Sequence, residues 1–112
     1  MRADLGMLPG KIASQAGHAY LGAFLQCQEL DPEILAEYLK GFPGTKVCLK
    51  ADNLDCLLRA QAEATSSGIP CSLITDSGSS NFFDGKPIIT ALGLGPARSN
   101  QIKHITRRFQ LL

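Results

Sequence analysis

Runs of apolar residues alternate with polar breaks along the chain, and their spacing predicts eight elements of secondary structure. A period of about 3.6 residues is typical of helices, whereas alternation or a short apolar run is typical of strands. The predicted helices cover approximately 10–28, 31–41, 53–68 and 95–109. The predicted strands cover 1–5, 45–51, 69–75 and 88–95.

The element order β-α-α-β-α-β-β-α predicts an α/β fold of three layers, with a mixed four-stranded sheet and helices on both faces. Strands separated by helices favour parallel neighbours joined by right-handed crossovers. The third and fourth strands have no helix between them, so we expect them to pair antiparallel. Because the chain has 112 residues and no internal repeat, we expect a single domain over 1–112.

Composition narrows the class of protein and the compartment. Hydrophobic residues make up 45% of the chain and charged residues 19%, which is typical of a globular protein rather than a disordered one. The four cysteines lack C-x-x-C or Cys/His spacing, which argues against a zinc site and favours a reducing compartment. No stretch resembles a signal peptide or a membrane span. We therefore expect a cytoplasmic protein without membrane association.

The first helix carries three unusual polar residues, Lys11, Gln15 and His18. At 100° per residue they fall within a sector of roughly 60°. Lys11 lies in the first turn, where the helix dipole disfavours a cation and the free N–H groups favour an anion. The stripe predicts a site for a phosphate or a developing oxyanion. Taken singly, Lys11 could equally be a solvated surface lysine, and His18 could equally be a core histidine with satisfied hydrogen bonds.

A second polar cluster follows the third strand. Asp76 ends that strand, and sites in α/β sheets gather at the carboxyl ends of strands. Thr90 lies in the next strand and comes near Asp76 if the two strands pair. The alternative interpretations are an Asx turn for Asp76 and ordinary β propensity for Thr90.

The last predicted helix carries a local basic cluster in a chain whose net charge is only +1. Such a cluster is suited to an anionic partner such as a phosphate backbone. An ordinary solvated helix face is the alternative, and the sequence leaves the choice open. The cluster comprises Lys103, His104, Arg107 and Arg108.

The opening stretch RADLGMLPGKIASQAGHA resembles the signature of the type II peptidyl-tRNA hydrolases. The likeness continues in order through KVCLKA, GIPCSLITDSG and TALGLGP to the closing helix. It implies an enzyme that hydrolyses the ester between a peptide and the terminal ribose of tRNA, which frees the tRNA for translation. It also implies a homodimer that acts on peptidyl-tRNA and needs no metal or other cofactor.

The resemblance also implies the site residues. The catalytic set is Lys11, Gln15, Asp76 and Thr90, with His18 alongside. The expected substrate-binding residues are Gly10, Ser80, Arg98, Lys103 and Arg107. Ser80 stands where many members have threonine. Members also carry several apolar residues before the arginine that matches Arg2, so we expect either a short first strand or one that begins before residue 1. Loss of a central strand would make the sheet less stable.

The mechanism expected from this set is acyl transfer to water. Asp76 or His18 would act as general base, and the sequence does not choose between them. Lys11 would stabilise an oxyanion or phosphate charge, while Gln15 and Thr90 would orient water and substrate. A non-catalytic RNA- or protein-binding adaptor and a hydrolase of a small acyl ester are the alternatives. The presence of the whole catalytic set favours the enzyme.

Overall fold

The computed structural model describes residues 1–77 and 85–112. Within those residues the helices are α1 (Pro9–Leu30), α2 (Pro32–Lys40), α3 (Leu54–Ser66) and α4 (Ser99–Thr106). The strands are β1 (Leu49–Lys50), β2 (Cys71–Asp76), β3 (Ile88–Leu94) and β4 (Gln110–Leu111). The predicted α/β class is confirmed. None of these helices combines the length and the apolar character needed to cross a membrane.

Side-chain caps determine where α2 and α3 begin. The Asp31 carboxylate accepts a hydrogen bond from the Ile34 N–H at 3.2 Å. The Asn53 side chain accepts one from the Cys56 N–H at 3.0 Å. Each cap satisfies an N–H that has no partner within its helix. The predicted start at Asp31 is confirmed, and Asn53 is the cap of α3.

The predicted antiparallel pairing of the third and fourth strands is confirmed as β2 with β3, and it contains a β-bulge. Ile74 faces Ala91, whereas Thr75 faces Ile89, so Thr90 is the extra residue on β3. A bulge bends the strand and changes the direction of a side chain. Thr90 and Ala91 are both buried, where regular alternation would bury only one of two neighbours.

Helix α1 packs across β2 and β3, and two glycines allow the close approach. A Cβ on Gly93 would lie 2.0 Å from the carbonyl oxygen of Ala19. A Cβ on Gly22 would lie 2.3 Å from the Ser72 Oγ. Both distances are too short for a real contact, so the helix can lie this near the strands only because neither glycine has a side chain.

The predicted four-stranded mixed sheet is wrong for the described residues, in which β1 pairs with β4 and β2 pairs with β3, both antiparallel. The reason lies in the predicted first strand, 1–5, where Arg2 forms a single parallel bridge with Ala51. The Arg2 N–H also donates to the Thr90 carbonyl oxygen at 2.9 Å. Residues 1–3 therefore join two small sheets at one point, in place of one central sheet between helical layers.

The chain end also differs from the prediction, which continued the last helix to Phe109. Helix α4 ends at Thr106, and β4 follows, pairing Gln110 with Lys50. Phe109 packs against the buried cluster of Ala60, Ala64, Ile69 and Ile105. Pairing with β1 gives the final residues backbone hydrogen bonds while Phe109 stays in contact with the core.

A cavity of about 670 Å³ lies between α1, β1 and β3. Its lining is mainly apolar and includes Ala16, Leu49, Leu92 and Leu94. Met1 lines it as well, and residues 1–3 form hydrogen bonds with Ala51 and Thr90.

Candidate active site

Four of the predicted catalytic side chains form one chain of polar contacts where α1 crosses β2 and β3. The Gln15 Nε2 donates to the Asp76 Oδ1 at 3.4 Å. The Gln15 Oε1 accepts from the Thr90 Oγ1 at 2.5 Å. The Lys11 Nζ lies 2.8 Å from the same Asp76 oxygen. The structure therefore brings Lys11, Gln15, Asp76 and Thr90 together, while their catalytic roles stay a prediction.

The helical repeat explains why Lys11 and Gln15 reach the same carboxylate, since residues four apart lie on one face. The buried stripe of α1 continues that face and consists of Gln15, Ala19, Ala23 and Cys27. Ile12 and Ala16 are only half-buried. Gln15 can occupy a buried position because its amide has a partner at each end, which removes most of the cost of burying it.

The Lys11–Asp76 ion pair is largely withdrawn from solvent, with side-chain exposures of 17% and 10%. Low exposure strengthens a charge pair because less water screens it. Lys11 lies in the first turn of α1, whose N-cap Leu8 supplies no side-chain hydrogen bond and whose first turn has no acidic residue. Asp76 on β2 thus supplies the negative charge that the positive helix end and Lys11 both favour.

Thr90 fixes the orientation of the Gln15 amide. It is fully buried, and Gln15 is 3% exposed. Because the Thr90 hydroxyl donates to the amide oxygen, the Gln15 NH₂ group faces Asp76. The β-bulge aims Thr90 at α1, so this order of donors and acceptors depends on the local irregularity of β3.

His18 is separate from this group. It is exposed, and its ring makes no hydrogen bond or ion pair with the residues that the structure describes. The sequence predicted it on one face with Lys11 and Gln15, and those two side chains contact Asp76. His18 lies three residues beyond Gln15, where the surface of the helix already faces solvent. Its proposed catalytic role remains a prediction that depends on a water or a substrate to connect it.

The predicted substrate-binding residues are scattered. Gly10 is exposed in the first turn of α1, and Lys103 and Arg107 are exposed at α4. The Arg98 guanidinium binds Glu37 through two hydrogen bonds of 3.2 and 2.7 Å. The remaining one, Ser80, lies outside the described residues.

Two residues near the site, Arg2 and Asp4, had no role predicted from the sequence. The Arg2 guanidinium binds the Ile89 carbonyl oxygen at 3.0 Å and the Asp4 carboxylate at 2.7 and 3.1 Å. The signal was present in the sequence as an arginine and an aspartate two residues apart, at the start of the opening signature. The contact of Arg2 with β3 could not be predicted without the fold.

The family model described as peptidyl-tRNA hydrolase PTH2 matches residues 1–112. The chain belongs to this family. The resemblance predicted from the opening signature is thereby confirmed. The match extends over both small sheets and all four helices of the described residues, so the polar contacts around Gln15 lie inside the matched region.

Relatives of this PTH2 family member include archaeal and human proteins. The "Peptidyl-tRNA hydrolase" of Methanocaldococcus jannaschii is 36% identical over 112 residues, which cover all of this chain and 95% of the relative. That of Methanopyrus kandleri is 36% identical, over all of this chain and 93% of the relative. The human "Peptidyl-tRNA hydrolase 2, mitochondrial" is 36% identical, over 99% of this chain and 60% of the human protein.

Proposed function

We propose that this chain, as one domain over 1–112, hydrolyses the ester bond between a peptide and tRNA. The observation that carries the proposal is the continuous contact Thr90–Gln15–Asp76–Lys11 in a member of the PTH2 family. The relatives are named for the same reaction. Hydrolysis would release the tRNA for further rounds of translation.

The roles proposed for the four residues follow from their chemistry. Asp76 accepts a proton from the attacking water, and Lys11 stabilises negative charge that develops on the ester oxygen or on a neighbouring phosphate. Gln15 and Thr90 hold the carboxylate and the water in position. His18 is the alternative base, acting through a water.

The variants Asp76→Asn and His18→Ala distinguish the two candidate bases, because only loss of the base removes the acidic limb of the pH–rate profile.

The direct test is turnover of peptidyl-tRNA without added metal, with a free N-acyl aminoacyl ester as second substrate. We expect release of tRNA by the wild type. In Lys11→Ala, kcat should fall about 10²–10³-fold, since a positioned charge at an oxyanion is worth that much. Lys40→Ala is the matched control, because Lys40 is an exposed lysine at the end of α2.

Two results would contradict the proposal. Full turnover by Lys11→Ala would remove the catalytic assignment of Lys11. Binding of RNA without release of tRNA by the wild type would favour the non-catalytic adaptor. Turnover of the free ester alone would instead identify a hydrolase of small acyl esters.

We further propose that exposed basic residues around α4 bind the tRNA backbone. Lys103 and Arg107 are exposed, while Arg98 would have to exchange its Glu37 partner for a phosphate. Removing one cation that binds a phosphate should lower the slope of log affinity against log salt by about one. Arg107→Ala should show this change and Arg59→Ala should not. A salt-independent affinity would contradict the assignment.

We also propose that the protein forms a homodimer in the cytoplasm. Leu21 and Leu25 lie one turn apart on α1 and are 58% and 51% exposed, which is typical of an apolar contact surface. Light scattering after size exclusion should give twice the chain mass for the wild type, and Leu25→Glu should shift it toward a monomer. A monomeric wild type would contradict the dimer.

A further inference from the structure

Arg2 binds the backbone of β3 at the two residues that determine where the Thr90 side chain points. Its main-chain N–H donates to the Thr90 carbonyl oxygen at 2.9 Å. Its guanidinium Nη1 donates to the preceding carbonyl oxygen, that of Ile89, at 3.0 Å. One residue of the N-terminal segment therefore holds two successive carbonyl groups.

Asp4 fixes the orientation of that guanidinium. The Arg2 Nε and Nη2 donate to the two Asp4 carboxylate oxygens at 3.1 and 2.7 Å. Because the guanidinium is planar, this two-point contact determines the direction of the remaining Nη1 group. The Arg2 side chain is 12% exposed. Its hydrogen bonds lower the pKa of Asp4, so the carboxylate remains an acceptor throughout the neutral range.

The contacts of Arg2 fall at the β-bulge, where the ladder with β2 is least able to define the backbone. Ile89 faces Thr75 and Ala91 faces Ile74, so Thr90 between them has no opposing residue. The extra residue of a bulge lacks a ladder partner. The backbone at this point is therefore held by a group outside β2 and β3. Arg2 donates one hydrogen bond to the Ile89 carbonyl oxygen and one to the Thr90 carbonyl oxygen.

We propose that Arg2, held in place by Asp4, is a positioning residue for the Thr90 hydroxyl. By fixing the backbone at 89–90 it keeps the Thr90 Oγ1 on the Gln15 amide, which in turn directs the amide NH₂ to Asp76. Displacements of about 1 Å in a catalytic arrangement can cost 10²-fold in rate. The proposal rests on the proposed hydrolysis of peptidyl-tRNA for its kinetic readout.

Arg2→Lys keeps the charge and the main-chain N–H but lacks the planar guanidinium that binds both Asp4 oxygens and directs a third N–H to Ile89. We expect kcat to fall about tenfold with KM within about twofold, since the change affects the reacting arrangement more than substrate binding. Arg59→Lys is the matched control, because Arg59 forms an ion pair with Glu63 on the exposed face of α3. Unchanged kcat in Arg2→Lys would overturn the proposal.

Asp4 provides a graded version of the same test. Asp4→Ala removes both acceptors and should lower kcat, whereas Asp4→Asn keeps one acceptor oxygen and should recover part of the loss. Equal kcat in Asp4→Ala and the wild type would show that the two-point contact between Asp4 and Arg2 does not affect the reaction. Asp4 is partly exposed, at 34% of its side chain, so both variants test the proposal even if Arg2→Lys does not fold.

A double-mutant cycle separates positioning from a general effect on the fold. If Arg2 acts through the Thr90 hydroxyl, Arg2→Lys should lower kcat in the wild type but have no further effect in a Thr90→Val background. An equal reduction in both backgrounds would mean that Arg2 acts elsewhere, and it would overturn the proposal.

One measurement does not depend on activity. The Thr90 methyl resonance should shift in Arg2→Lys and in Asp4→Ala, and it should not shift in Arg59→Lys. A wild type that releases no tRNA would refute the proposed function while this test of Arg2 still stands. An unshifted Thr90 methyl in folded Arg2→Lys would refute the positioning role alone.

Discussion

At the scale of single residues, Gln15 is the side chain on which the others depend. It is buried, and it links the Thr90 hydroxyl to the carboxylate that Lys11 also binds. Sequence spacing could place Lys11 and Gln15 on one face, because the helical repeat alone determines that. It could not show that His18 would face solvent, because a sector of 60° spans both the edge and the interior of a packed helix face.

Thr90→Val tests the buried hydrogen bond with almost no change of shape. The variant leaves the Gln15 oxygen buried without its donor, which costs about 1–3 kcal/mol of unfolding free energy. Thr90→Ser keeps the hydroxyl donor, so it should lose less unfolding free energy than Thr90→Val from the loss of this hydrogen bond. Denaturant unfolding of the three proteins measures the difference, and equal midpoints for Thr90→Val and the wild type would show that the hydrogen bond contributes nothing.

At the scale of elements, the contact of α1 with the β2–β3 hairpin determines the site. The apolar periodicity and the absence of a predicted helix between β2 and β3 were enough to predict these elements and the antiparallel pairing of the two strands. The β-bulge at Thr90 could not be predicted, because it depends on how α1 and Arg2 contact β3 rather than on local propensity.

Gly93→Ala tests the close approach of α1 to β3. The new methyl would lie 2.0 Å from a backbone oxygen, that of Ala19, so one element must move, and overpacking of this kind costs about 1–3 kcal/mol. Gly17→Ala is the control, because a Cβ there meets nothing within 4 Å in an exposed part of α1.

Thermal unfolding should show a lower midpoint for Gly93→Ala than for the wild type. Gly17→Ala should be more stable than the wild type by about 0.5–1 kcal/mol, since alanine favours the helix. A Gly93→Ala protein as stable as the wild type would mean that α1 does not need this contact distance.

At the scale of the whole molecule, the sequence predicted the α/β class and the family but not the division into two sheets. Elements with strong local signals, such as α1 and α3, came out close to their predicted bounds. The short β4 and the single bridge at Arg2 have no local signal, because they depend on pairing between residues more than 45 positions apart. Long-range pairing is the part of a fold that periodicity does not encode.

The cavity between β1 and β3 has a consequence for amide hydrogen exchange along β3. The Gly95 N–H donates to Pro70 at 2.8 Å, and antiparallel alternation then directs the amides of Gly93 and Ala91 toward β2 as well. The amides of Leu92 and Leu94 face the other way, toward the cavity that both residues line. We expect alternate amides of one strand to exchange at very different rates, fast at Leu92 and Leu94 and slow at Ala91 and Gly93. Uniformly slow exchange would mean that another backbone pairs with this side of β3 in solution.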